Sequence, residues 1–381
     1  MPLSPSALEP LLRLAVVPGI GPARLLALVR HFGSAERALA ASPRSIGQVP
    51  GIGAEMAGRV LRAARPEGVE RARRALRLLN DHGAVALTPD DRDYPETFRA
   101  LADPPFLVFA AGDLALLNSP AVALVGTRSP SPYGRDAADS LGRGLVAKGY
   151  TVVSGLARGI DTAAHRAALD AGGGTVAVLG HGIERVYPAE NRALFREIAE
   201  RGLLVTEYAP GEEPKAGNFP RRNRLIAALS RGVVVVEMSL RSGARHTVDA
   251  ALDLGREVFA VPGPIGSEAS VGTNLLIQQG AALVTGVHDI VEALDGVGAD
   301  TGTALRPRPQ KPAAGVGPAP TAADLPAGGE VVLGALDVQP RHIDDLANAT
   351  GIAPGQALAT LLHLELMGLA ESLPGKLFRR R

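Results

Sequence analysis

The sequence predicts an α/β protein: a mostly parallel sheet with helices on both faces, preceded by a helical segment and followed by a small winged-helix segment. Three observations predict it. Between residues 84 and 297, short apolar β-rich runs alternate with stretches of helical periodicity. Residues 1–83 show helical periodicity throughout, interrupted by two near-copies of one glycine turn. A Pro-, Gly- and Ala-rich stretch, 298–329, sets off a last segment, 330–381, of three helices and a hairpin.

In the first segment, apolar residues recur at helical spacing over Leu8–Val16, Ala23–Phe32, Ala54–Ala64 and Val69–His82. Between them lie Val17-Pro18-Gly19-Ile20-Gly21 and Val49-Pro50-Gly51-Ile52-Gly53. In the second, the predicted strands are Ala121–Val125, Tyr150–Ser154, Thr175–Leu179, Leu203–Thr206, Val233–Glu237, Val258–Val261 and Ala282–Thr285. The helices following them are predicted at Arg135–Lys148, Asp161–Asp170, Arg192–Arg201, Arg221–Ser230, Ala244–Leu254, Asn274–Gln279 and Val287–Leu294. Near-continuous apolar strands alternating with helices imply a parallel sheet covered on both faces. Residues 298–329 bury too little apolar surface to order themselves and read as a linker. The last segment predicts helices Val331–Leu336, Ile343–Thr350 and Gly355–Met367, then a hairpin turning at Pro374-Gly375.

Composition narrows the function classes. With no cysteine, disulfides, Cys-ligated zinc and thiol catalysis are excluded. No charged-then-apolar leader opens the chain, and no apolar run reaches the roughly 18 residues that span a bilayer, so a cytoplasmic protein without membrane contact is expected. Net charge is +1, yet residues 1–80 hold 12 Arg against 5 Glu and no Asp. Aromatic residues are 3% and Trp is absent, so any base-stacking surface rests on few rings.

Ligands of open α/β sheets bind beyond the carboxyl ends of the strands. The first predicted strand is followed there by Gly126-Thr127-Arg128, which suits either a phosphate-binding turn with an Arg fork or a tight connection with a surface Arg. After the second comes Ser154-Gly155-Leu156-Ala157-Arg158-Gly159-Ile160-Asp161; Asp161 is a candidate N-cap and shares a helix face with His165. After the third, Gly180-His181-Gly182 leaves room for a ligand or for backbone. After the fourth comes a polar loop with Lys215, then Asn218-Phe219-Pro220-Arg221-Arg222-Asn223-Arg224. Three Arg in the first helical turns oppose the helix dipole, which an anion would offset, and Phe219 could stack on a base. After the fifth, Ser242-Gly243 could meet a phosphate or ribose, or simply cap a turn.

No G-x-G-x-x-G follows the first strand, and Gly142-Arg143-Gly144 falls inside a predicted helix, so no dinucleotide cofactor is expected. There is no Walker A sequence, no Ser-His-Asp order on a nucleophile elbow and no third ligand for a metal beside Asp161 and His165. The expected protein is a binder, not an enzyme.

Taken together, these loops resemble the DNA-processing protein A (DprA/Smf) family between about Tyr94 and Thr285. The likeness rests on Val125-Gly126-Thr127-Arg128, Ser154–Asp161 with Ala164-His165, and Ala177–Gly182 with Tyr187-Pro188. It continues through Thr206-Glu207-Tyr208, Phe219–Ala227, Ser242-Gly243 and Ala260–Gly263. The resemblance implies an extended Rossmann-like fold, a homodimer formed through that domain, and single-stranded DNA as ligand. It also implies protection of incoming DNA and loading of a RecA-type recombinase in natural transformation. It assigns the phosphate pocket to Arg128, Phe219, Arg221, Asn223 and Arg224. The sequence departs from the family at Gly217-Asn218, where a basic residue is usual, and at Ala244–Val248, which has gained charge.

The two Pro-Gly-Ile-Gly elements resemble helix-hairpin-helix (SAM-like) motifs, whose amides hold phosphate without reading sequence. Arg24 favours DNA contact for the first; Glu55 suggests a structural role for the second. The helix Gly355–Met367 carries no Lys or Arg, only Gln356, Thr360, His363 and Glu365 as polar groups, and is poorly equipped to read a major groove. Two competing readings remain. A nucleotide-processing enzyme of the phosphoribohydrolase kind would carry P-G-G-x-G-T-x-x-E, which Pro262-Gly263-Pro264-Ile265-Gly266-Ser267-Glu268 does not match. A regulator using the winged helix would prefer duplex DNA.

Overall fold

The computed structural model describes residues 5–296, 328–337, 339, 341–367, 369–373 and 377–380. It divides the chain into two compact units, Met1–Asp300 and Thr301–Arg381. The predicted linker, but for its last two residues, and the Pro374-Gly375 turn lie outside the described residues.

The first unit opens with six helices: α1 (Pro5–Ala15), α2 (Pro22–Phe32), α3 (Ala35–Ala40), α4 (Pro43–Ile46), α5 (Ala54–Ala63) and α6 (Pro66–Asp81). The short helices α3 and α4 have too few turns to show periodicity, and their signal is in the caps: the hydroxyls of Ser34 and Ser42 accept from the amides of Arg37 and Ser45. The two glycine turns are built alike, with Gly19 and Gly51 at φ +90° and +77°, where a side chain would be strained. They also brace each other. Arg24 donates to the carbonyls of Gly19 (2.6 Å) and Gly51 (2.9 Å), and Arg59 donates to Pro18 (2.9 Å).

The sheet follows: β1 (Ala84–Leu87), α7 (Glu96–Arg99), β2 (Val108–Gly112), β3 (Ala121–Val125), α8 (Pro132–Ala147), β4 (Thr151–Ser154), α9 (Ile160–Asp170) and β5 (Thr175–Val178). Then come α10 (Arg192–Arg201), β6 (Leu203–Thr206), α11 (Asn218–Ala228), β7 (Gly232–Val235), α12 (Arg245–Asp253), β8 (Glu257–Ala260), α13 (Glu268–Gln279), β9 (Ala282–Leu283) and α14 (Val287–Asp295). Strand order is β1-β2-β6-β5-β4-β3-β7-β8-β9. From β6 to β9 every pairing is parallel, as expected. Strands β1 and β2 were not anticipated; they add an antiparallel edge beside β6. The central strands β3, β4, β5, β6 and β7 are buried at every residue, which is why they read as unbroken apolar runs.

The predicted boundary at 83/84 falls between α6 and β1, but the core crosses it: Leu12, Leu14 and Leu28 share one buried cluster with Phe109, Leu179 and Leu204. The helical segment is thus packed on the sheet and fixed relative to it.

The second unit contains α15 (Gly329–Ala335), β10 (Arg341–His342), α16 (Ile343–Thr350), α17 (Pro354–Leu366), β11 (Ala370–Leu373) and β12 (Leu377–Arg380). Its sheet order is β10-β12-β11, around Val332, Leu346, Leu361, Leu364 and Phe378. The three helices and hairpin match the expected winged helix, with β10 as an added strand. Among the described residues, no helix is long and apolar enough to cross a membrane.

Candidate nucleic-acid interface

The chain direction across the sheet reverses between β3 and β7, which places the topological switch point there. A crevice of about 630 Å³ opens at that point, lined by Thr127 and Arg128 after β3, Ser242 and Gly243 after β7, and Phe219 and Asn223 of α11. A narrower pocket adjoins it, walled by Gly155, Arg158, Gly180, His181, Tyr187 and Phe219.

Phe219 is where the two meet. Its ring lies 5.4 Å from that of Tyr187, at an interplanar angle of 31°. The guanidinium carbons of Arg128 and Arg222 stand 6.0 and 5.9 Å from its centroid. Arg128 and Tyr187 are exposed and Phe219 half-buried, so an aromatic pair and a cationic fork that no ion pair holds among the described residues lie together at the surface. Tyr187 belongs to the motifs that carry the family resemblance but lies outside the expected site residues. Its signal was available: an aromatic in the loop after a parallel strand, in a chain with few rings.

At most of the loop glycines a side chain would collide with the protein itself. A Cβ on Gly126 would meet Ile160 at 2.7 Å, one on Gly155 would meet Arg222 at 2.6 Å, and one on Gly180 would meet the Phe219 ring at 2.9 Å. On Gly182 it would meet Glu184 at 2.6 Å; Gly243 alone of the five faces open space. The loop amides are also engaged. Thr127 donates its amide to Glu237, and the amides of Gly155 and Ala157 donate to the Asp161 carboxylate. Asp161 therefore ties the loop in front of α9; it does not cap the helix, whose N-cap is Gly159. Burial pushes the Asp161 carboxyl up, against the pull of Arg222. His165 is wholly buried and hydrogen-bonds Thr175 through Nδ1 (2.7 Å); burial and Arg222 depress it to about 3, so it stays neutral. The Asp161/His165 pair is structural, and among the described residues no cluster could hold a metal.

The Arg run on α11 is divided by helical geometry. At about 100° per residue, Arg222 turns inward while Arg221 and Arg224 share another face. Arg222 is buried and donates to the carbonyls of Gly155 (3.0 Å) and Val178; burial lowers its guanidinium to about 10. Arg224 donates to Glu207 at 2.6 Å and lies 3.5 Å from Asp103. Arg221 and Arg224 line a different groove, of about 610 Å³, between α11 and the first glycine turn, as do Lys215 and Asn218. Lys215 is ion-paired with Glu212 there (2.7 Å). Arg158 stays at the narrower pocket, paired with Glu190. Of the predicted set, then, the switch-point crevice gathers Gly126, Thr127, Arg128, Phe219, Arg222, Asn223, Ser242 and Gly243; Gly155, Arg158 and Gly180 line the pocket beside it. Gly182 is buried behind them, and Lys215, Arg221 and Arg224 lie across the helix.

Comparison with known proteins follows the same division. Residues 85–295 match the family model of the DNA recombination-mediator protein A, residues 316–376 that of the DprA winged helix domain, and residues 11–66 a SAM-like helix-hairpin-helix tandem. The chain is 34% identical to the protein Smf of Synechocystis, covering 96% of each. It is similar to the crystal structure of DNA processing protein A from Streptococcus pneumoniae, with TM-score 0.61 and 34% identity over 77% of this chain and 99% of that one. It also resembles DNA processing protein A from Helicobacter pylori, whose structure addresses its single-stranded DNA binding mode, with TM-score 0.51 and 32% identity over 56% of this chain and 96% of that one. Fold, order of segments and loop chemistry therefore agree: the chain belongs to the DNA recombination-mediator protein A (DprA/Smf) family.

Proposed function

We propose that this protein binds single-stranded DNA at the β3–β7 switch point, with a base stacked on the Tyr187–Phe219 pair and the adjoining phosphate held by Arg128. The observation that carries this reading is the ring pair, Tyr187 exposed and Phe219 half-buried, with the exposed Arg128 guanidinium beside it, which no ion pair holds among the described residues. Stacking tolerates any base, so the contact is insensitive to sequence. Asn223, Ser242 and Gly243 offer further hydrogen bonds along the crevice. The site holds and orients DNA; it does not transform it. The Helicobacter relative's binding of single strands supports the ligand assignment. In keeping with the family, we place the protein in the cytoplasm as a homodimer that protects incoming DNA and passes it to a RecA-type recombinase in natural transformation.

The test is a salt-controlled comparison of single- and double-stranded binding by the full chain. The expected result is a preference for single strands that weakens steeply with salt as counterions are released. Equal or better binding of duplex would overturn it.

A further inference from the structure

We infer that the helical segment carries a second phosphate-backbone site, a groove lined by Arg13, Arg59, Arg62 and Arg71, and that it extends the bound single strand beyond the α/β crevice. The inference rests on the single-strand reading proposed above. The groove has a volume of about 350 Å³ and lies between α1, α5 and the start of α6, with Glu67 as its one acid.

Two of the arginines are walls. Arg13 donates through Nε to the carbonyl of Ala63 (2.9 Å), and Arg59 donates to Pro18 (2.9 Å) and to Glu55 (2.7 Å). Their planar forks are held before any ligand arrives. The other two are free to bind: Arg62 and Arg71 are exposed, and among the described residues neither is held by an ion pair. The surroundings favour a polyanion. Residues 1–80 hold 12 Arg against 5 Glu, leaving 28 basic against 34 acidic residues in the rest of the chain. The helical segment is therefore a basic module on an otherwise acidic protein.

The groove is also joined to the first site. Val17 and Pro18 of the first glycine turn face the four arginines, while Gly19, Ile20 and Gly21 of the same turn face the groove that runs to α11. The other wall of that second groove is α11, which carries Phe219 on its crevice side. Its own charges are largely matched, Arg224 with Glu207 and Lys215 with Glu212, so it spans the distance between two anchors and is not one itself. The hairpin turns, in contrast, are engaged with each other through Arg24 and Arg59.

The experiment compares the full chain with its Arg62→Gln/Arg71→Gln double variant on single strands of about 6 and about 30 nucleotides, across a salt series. The longer strand should lose roughly tenfold or more in affinity, and its log–log salt slope should become shallower by about 1.4, while the short strand is unaffected. The Arg62→Lys/Arg71→Lys variant should restore the slope, which a purely structural role would not. Unchanged long-strand binding, equal loss on both lengths, or loss confined to duplex would overturn the inference. Failure of the crevice reading looks different: Arg128→Ala and Phe219→Ala would leave the short strand bound as before.

Discussion

The Tyr187 and Phe219 rings lie 5.4 Å apart at 31°, although one belongs to the loop after β5 and the other to the first turn of α11. Stacking on such a platform contributes about 1–3 kcal/mol per base. Phe219→Ala should therefore weaken single-strand binding by roughly 5- to 150-fold, and Tyr187→Ala by less, since its ring is the more exposed of the two. Phe219→Tyr should retain most of the affinity. Fluorescence anisotropy with several base compositions would measure this; a loss confined to one base would count against a stacking role.

Arg128 and Arg222 flank the same ring from opposite environments, so their removal should separate binding from folding. Arg128 is exposed, and Arg128→Ala should lower affinity on every sequence and make the salt slope shallower by about 0.7, with melting temperature unchanged. Arg222 is buried against the carbonyls of Gly155 and Val178. Its loss leaves those acceptors unsatisfied, at a cost of about 1–3 kcal/mol each, so Arg222→Ala should lower the melting temperature markedly. Equal thermal effects of the two changes would show that this division is wrong.

These two residues also show how far the sequence could be read. The parallel strands were legible because burial on both faces leaves an uninterrupted apolar signal, as in Val233–Val236. Strands β1 and β2 were not, because four or five apolar residues beside an irregular loop carry no alternation that sets them apart from a core loop. The loops of the crevice were identified, but the division of labour among Arg221, Arg222 and Arg224 was not. It depends on where α11 begins: a start at Asn218 turns Arg222 toward the strand ends and Arg224 toward Glu207. Likewise, Gly126, Gly155 and Gly180 read as openings for a ligand, whereas three-dimensional packing fills the space above each with the protein's own side chains.

Gly180 supplies a further test. It has no positive φ, so alanine fits the backbone; the obstacle is the Phe219 ring, 2.9 Å from the added Cβ. Gly180→Ala should push that ring away from Tyr187 and reduce single-strand affinity, while Gly243→Ala, which meets nothing within 4 Å, should fold normally and leave stacking intact. If Gly180→Ala binds DNA like the unmodified chain, the ring's position over Gly180 is not what sets affinity.

Glu207 is expected to make single-strand binding depend on pH. Its carboxyl is buried, and burial raises it to about 7; Arg224 pulls it down and Asp103 pushes it up. The folded state thus holds this proton more tightly than the unfolded chain, whose Glu titrates near 4.5. The sign follows: Glu207's contribution to stability is fullest below the unfolded value, declines as pH rises toward about 7, and is level beyond it. Ionised Glu207 also pairs with Arg224 at 2.6 Å; protonation removes that negative charge, leaving Asp103 as the acid beside Arg224 and the groove they line more positive. Single-strand affinity should accordingly rise as pH falls from about 8 to about 6. Glu207→Gln, which cannot ionise, should bind at the level of the protonated form across that range and lose the dependence. A variant profile parallel to that of the unmodified chain would place the titrating group elsewhere.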